Sequence, residues 1–200
     1  MKTRLFLISA LLTLSFFGFA QPTTSLGPKI GVNVTTFRPK AESFDLLSGL
    51  NAGLFLNHSI NSNFGIMVEG TYSQMGTKVQ NGGNMERIHY LQIPVAAVYY
   101  FGQRGQAFRP KIFAGPYLGI LLAATDRTGS KVANGQPVYT NADVGAQVGL
   151  GFNYRIKNET WLNADVRYIR GFGDITREPS TSFQNVGVGI NLGISFPIKK

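Results

Sequence analysis

Between Asn141 and Arg155 the chain changes character at every residue. Ala142, Val144, Ala146, Val148, Leu150, Phe152 and Tyr154 share one parity. Asn141, Asp143, Gly145, Gln147, Gly149, Gly151, Asn153 and Arg155 share the other. Successive side chains of a β-strand point to opposite faces, so this is a strand with one apolar and one polar face. The pattern returns near the C-terminus, where Val186, Val188, Ile190, Leu192, Ile194 and Phe196 alternate with Asn185, Gly187, Gly189, Asn191, Gly193 and Ser195. It returns again where Leu162, Ala164, Val166 and Tyr168 oppose Asn163, Asp165 and Arg167. Such runs exceed the usual 5–6 residues of a soluble strand and match a tilted membrane-spanning strand of about 9–11. A soluble sheet hides its apolar face and shows a charged one. Here the polar face is rich in glycine, as in a barrel with lipid outside and crowded side chains within.

Eight segments carry this alternation: Pro28–Phe37, Leu50–His58, Phe64–Gln74, Ile88–Phe101, Arg109–Leu122, Asn141–Arg155, Trp161–Arg170 and Gln184–Phe196. The fold they predict is all-β: a transmembrane antiparallel up-and-down β-barrel of about eight strands. The connections Arg38–Gly49, Met75–Arg87, Ala123–Thr140 and Gly171–Phe183 are long and polar, whereas Ser59–Asn63, Gly102–Phe108 and Ile156–Thr160 are short. Long outer loops and short periplasmic turns are the arrangement expected of outer-membrane barrels. Phe37, Phe64, Tyr72, Tyr99, Phe101, Tyr154, Trp161, Tyr168, Phe172 and Phe196 lie near strand ends and suggest interfacial girdles. Pro94 and Pro116 fall inside strands, where each removes a ladder hydrogen bond, and a bulge is expected at each. The phase of Arg109–Leu122 is open, because both of its faces carry large apolar residues.

The chain begins with an address. Lys2 and Arg4 precede an apolar run, Leu5 to Phe19, that ends at Gly18-Phe19-Ala20. This is the pattern of a cleaved secretory signal peptide, residues 1–20, followed by one domain, residues 21–200. Lys+Arg 19 against Asp+Glu 10 gives +9, and loss of Lys2 and Arg4 leaves 9 − 2 = +7. The basic residues are scattered through loops and chain ends, which speaks against nucleic acid. There are no cysteines, so disulfides, thiolate zinc sites and cysteine nucleophiles are excluded. The two histidines form no metal-ligand cluster, and no cofactor is implied.

Leu91-Gln92-Ile93-Pro94 followed by Tyr99-Tyr100-Phe101, then Phe113-Ala114-Gly115-Pro116-Tyr117-Leu118-Gly119, resembles the PorT-type outer-membrane β-barrel family. So do Gly149-Leu150-Gly151-Phe152, Val166-Arg167-Tyr168 and Gly173-Asp174-Ile175. The similarity covers nearly all of the mature chain. It implies an outer-membrane barrel of about eight strands, with Pro94 and Pro116 as family features. It implies little about activity: the founding member is associated with a protein secretion system, and most relatives have no assigned role. The chain departs from many barrels at its end, where Phe196 is followed by Pro197, Ile198, Lys199 and Lys200.

The candidate site is a lumen charge cluster. On the phases above Glu69, Asp143, Asp165 and Arg167 point inward with Gln92 and Gln147, so three acids surround one base. Buried charges persist only when partnered, and a barrel of about eight strands is narrow enough for side chains to fill. This favours a structural or accessory barrel of the outer membrane, without catalysis, whose lumen is plugged by paired charges. The alternatives are a narrow pore or small-ligand transporter lined by the same residues, and a soluble periplasmic lipocalin-like binding barrel, which needs the opposite apolar face inside. His58-Ser59 with Glu69 superficially suggests a membrane hydrolase, but neighbours in a strand face opposite ways. Gly187 to Gly193 lies within a strand pattern and has the wrong spacing for a nucleotide loop. Asn33, Asn57 and Asn158 each begin an N-glycosylation triplet. Lys29, Lys199 and Lys200 are placed at the periplasmic side. Arg38, Lys40, Lys78, Arg87, Arg127, Lys131 and Arg177 lie in outer loops, where they could meet outer-membrane lipid and lipopolysaccharide headgroups; no protein partner is named. An arginine at Val148 or Ile190 should impair insertion more than one at Gln147.

Overall fold

The computed structural model describes residues 23–39, 44–79, 85–103, 105–130, 138–157, 159–177 and 182–198. Residues 1–20, Lys40, Lys131, Asn158, Lys199 and Lys200 lie outside them, and so do the readings made on those positions. Eight strands follow in order: β1 (Thr23–Arg38), β2 (Phe44–Ser59), β3 (Phe64–Val79), β4 (Met85–Tyr100), β5 (Phe108–Thr125), β6 (Ala142–Lys157), β7 (Thr160–Gly171) and β8 (Gln184–Pro197). Each pairs antiparallel with its sequence neighbours, and β1 pairs with β8 to close the barrel. Closure leaves no unpaired edge, as a sheet in lipid requires.

The apolar parity faces out. Ile30, Val148, Leu150 and Ile190 are 60%, 55%, 64% and 58% exposed, respectively. Exposed aliphatic residues recur along all eight strands, far beyond the apolar patches of soluble proteins. The polar parity faces in: Asn33, Asn51, Glu69, Gln92, Gln147, Asn185 and Asn191 are all buried. Inward glycines admit the large lumen side chains. A Cβ on Gly149 would lie 2.3 Å from the Phe113 ring, and one on Gly145 would lie 2.5 Å from the Tyr117 ring.

The strands overrun the expected segments. A strand of 16 residues such as β1, tilted as in an eight-stranded barrel, rises about 40 Å, well past the apolar band of about 25 Å. Ladder pairs such as Phe44↔Val79 and Asp45↔Lys78 continue above that band. The expected alternation of loop length is therefore only partly kept. Counted between strand bounds, five residues separate β1 from β2 and five separate β3 from β4, fewer than the seven between β4 and β5, while β5–β6 and β7–β8 are separated by sixteen and twelve.

Neither proline sits at a bulge. The β3–β4 ladder lapses opposite Pro94, between Val68↔Val95 and Thr71↔Gln92, and resumes in the same register. The β4–β5 ladder passes from Pro94↔Tyr117 to Ala97↔Ala114, spanning Pro116 without a shift. A missing donor costs a bond there but does not require an extra residue. The shifts lie elsewhere, between Leu46 and Asn51, at His89/Tyr90 and at Arg155/Lys157. At the first of these, side chains satisfy the freed backbone: Leu50 N–H donates to Gln74 Oε1 and Arg87 Nη2 donates to Ser48 O.

The phase of β5 is settled: Arg109, Lys111, Phe113 and Tyr117 face inward, and Ile112, Leu118, Ile120 and Leu122 face lipid. The aromatic girdle is smaller than expected. Phe64, Tyr99 and Phe101 pack edge to face on the periplasmic rim. Phe37 instead points into the outer mouth, and Trp161 faces inward beside Arg155.

Candidate functional site: a layered lumen

The lumen is filled in layers. At the outer end Phe37, Met75, Ile88, Tyr90, Tyr117 and Ile169 form an apolar plug. Described residues of the two long outer connections cover it. Tyr139 and Thr176 form an isolated bridge between them, and Tyr139 and Ile175 pack down onto the plug. The Tyr139 hydroxyl donates to the Glu86 carboxylate. Burial, and then the Glu86 charge, push the Tyr139 phenol up from its ordinary value. At the loop tip, hydrogen bonds from Thr128 hold the Asp126 carboxyl below the usual carboxylate range.

Below the plug lies the charge cluster. Arg167 donates from Nη1 and Nη2 to the two Glu69 oxygens at 2.8 and 3.0 Å. Its Nε donates to Asp165 Oδ1 at 2.8 Å, and Nη1 also reaches Gln147 Oε1 at 3.0 Å. The guanidinium stands 5.1 Å from the centre of the Phe113 ring. Lys29 Nζ donates to both Glu69 oxygens, at 3.0 and 2.9 Å. Glu69 thus accepts four charge-assisted bonds from two cations, a strong arrangement in a low-dielectric interior. Asparagines frame the cluster: Asn191 donates to Asp165, and Asn51 donates to Asn191.

Asp143 stands apart from this cluster. It accepts from Tyr117 Oη at 3.0 Å and Asn185 Nδ2 at 2.9 Å, on the floor of the outer plug. The picture of three acids around one base is corrected further by Lys29, Lys111 and Arg109, which are 6%, 2% and 7% exposed and face inward. The sequence places Lys29 at the periplasmic side because Pro28 reads as a strand start. Starting β1 at Thr23 lifts it to the level of Glu69. Lys111 and Arg109 were hidden by the open phase of β5.

Toward the periplasm a second apolar group, Met67, Ala96, Val98, Tyr100 and Phe113, lines one side of the lumen. Beneath it opens a vestibule of about 200 Å³, lined by Asn57, Tyr100, Arg109, Asn153, Arg155 and Trp161 among others. The Arg109 guanidinium lies 4.4 Å above the Tyr100 ring and donates to Ser62 O.

The residues of the remaining motifs are separated in space. Ser59 faces the vestibule, while His58 faces out and bonds Thr24 Oγ1, so they share no face. His89, on the outward face, bridges Tyr72 and Thr125. Asn33 and Asn57 are buried in the lumen, closed to a glycan. Among the described residues no group of His, Asp and Glu could hold a metal ion.

A closed eight-stranded barrel with an aliphatic exterior and a bonded polar interior defines an outer-membrane barrel protein. The chain belongs to the outer membrane protein beta-barrel domain family, whose model matches residues 19–177. Solved structures agree on the fold. Neisserial surface protein A is 14% identical with a TM-score of 0.56, covering 88% of this chain and 99% of that one. OprG from Pseudomonas aeruginosa is 15% identical with a TM-score of 0.56, covering 89% and 96%. The N-terminal barrel domain of Pseudomonas aeruginosa OprF is 14% identical with a TM-score of 0.51, covering 88% and 100%. No curated protein sequence matches.

Proposed function

We propose that this protein is a structural or accessory barrel of the outer membrane, without catalysis, whose lumen is shut by its own side chains. The observation that carries this is the fully bonded Arg167–Glu69–Asp165–Lys29 cluster spanning the middle of the barrel. All five guanidinium donors have acceptors within reach, since Nη2 also lies 2.8 Å from Asp165 Oδ1. An apolar plug lies above it, so a solute meets two barriers of different chemistry. The PorT-type resemblance supports an accessory role beside other envelope proteins. The outward or rim positions of Arg38, Lys78, Arg87 and Arg170 support contact with anionic lipopolysaccharide headgroups. Planar-bilayer recording of the purified, reconstituted protein tests the closed lumen. Silence at moderate voltage is expected; a steady ohmic conductance favours the narrow pore instead.

A further inference from the structure

We propose that the charge cluster takes up one small inorganic anion of halide type, held between Lys29 and Lys111. The charge count leads there. At mid-lumen Lys29, Lys111 and Arg167 face Glu69 and Asp165, which gives 3 − 2 = +1. Both carboxylates are already engaged: Glu69 by Lys29 and Arg167, and Asp165 by Arg167 and Asn191. Asp143 is held elsewhere by Tyr117 and Asn185 and does not join the charges acting on Lys111. Lys111 is 2% exposed, and among the described residues its ammonium makes no side-chain hydrogen bond. Asp165 and Glu69 act on Lys111 through space, but both are already shared with Arg167, Lys29 and Asn191, and a buried ammonium without an acceptor of its own is costly.

The space for a partner is present. Lys29, Glu69, Lys111, Asn163, Asp165 and Asn191 line a void of about 10 Å³. That is the scale of one water molecule, and the flexible lysine stems adjust to the slightly larger ion. A water would supply an acceptor but no charge; a monovalent anion supplies both. Asn191 donates one amide hydrogen to Asp165 and has a second to offer beside the void, whereas both of the Asn163 amide hydrogens are taken by Trp161 O and Ser195 Oγ. There is also a way in: the periplasmic vestibule is lined by Arg109 and Arg155, and Arg109 precedes Lys111 on the inward face of β5. These groups draw anions toward the void. The inference rests on the closed lumen, which conductance reads separately from the measurements below.

The full mature protein, folded in an uncharged detergent, is heated in sodium chloride, sodium bromide or sodium gluconate at equal ionic strength. Its heat-modifiability midpoint is read on gels. The midpoint should be higher in either halide than in gluconate and should rise to saturation. Ten times the dissociation constant raises the folded-to-unfolded ratio roughly tenfold. Lys111→Met should erase the halide dependence, and Lys111→Gln serves if the methionine variant does not fold. Crystals of the unmodified protein grown in bromide should show an anomalous peak between Lys29 and Lys111. Equal midpoints in all three salts, a halide effect that survives in the Lys111 variant, or bromide peaks only at the surface would each overturn the proposal. The first outcome, with no peak in the void, assigns Lys111 as a neutral amine beside a water.

Discussion

Glu69 is the position where one proton's worth of chemistry should cost the barrel most. Glu69→Gln keeps the shape of the side chain and removes its charge. The mid-lumen count then moves from +1 to three cations against one carboxylate, 3 − 1 = +2. Four charge-assisted bonds from Lys29 and Arg167 lose their ionic acceptor. Removing one partner of a buried pair costs about 3–5 kcal/mol, because the other charge stays behind. Arg167→Met leaves two cations and two carboxylates, so its cost should fall near the lower end of that range, with Lys29 still holding Glu69. The double variant returns the count to +1, with Lys29 and Lys111 against Asp165. Its cost should therefore fall at least about 2 kcal/mol short of the sum of the singles, the mark of directly coupled residues. Heat-modifiability or urea unfolding in liposomes supplies the three values. Additive costs, or single costs under about 1 kcal/mol as for solvated pairs, would refute a dry, paired cluster.

Val148→Arg and Ile190→Arg each place a charge against lipid and should cost roughly 2–4 kcal/mol near the midplane; folding yield into liposomes checks both. Gln147 is not a neutral lumen control, since it accepts from Arg167; Asn153→Arg, beside the vestibule, should be tolerated far better than either. Asp165→Asn should cost less than Arg167→Ala, because an amide oxygen can still accept from Nε, and the same gel assay orders the two. Gly149→Leu should destabilise by about 1–3 kcal/mol through overpacking against Phe113, and Phe113→Leu should recover part of that loss.

The barrel was legible because period two persists at length and its glycine-bearing polar parity has no use on a soluble surface. Val186 to Phe196 and Ala142 to Tyr154 declared their faces without help. The face of β5 was not legible, because Phe113 and Tyr117 are apolar residues turned inward over Gly149 and Gly145. That is a cross-strand fit, and no single strand records it. Lys111 and Arg109 were lost with that phase. Lys29 was misplaced because Pro28 reads as a strand start, yet Leu26 and Pro28 continue the outward parity of Ile30. Asp143 and Asp165 look alike in sequence; only the heights of their strands separate the acid under the plug from the acid on Arg167.

The protein has no cysteine, which permits a direct test of whether side chains fill the lumen. Thr71 is 1% exposed and points inward from β3, two positions beyond Glu69. In a Thr71→Cys variant the single thiol should resist a small charged methanethiosulfonate reagent added to either side of the folded, reconstituted barrel, and should react promptly after unfolding. Rapid labelling of the folded protein would contradict a closed lumen and show water where the account places packed side chains.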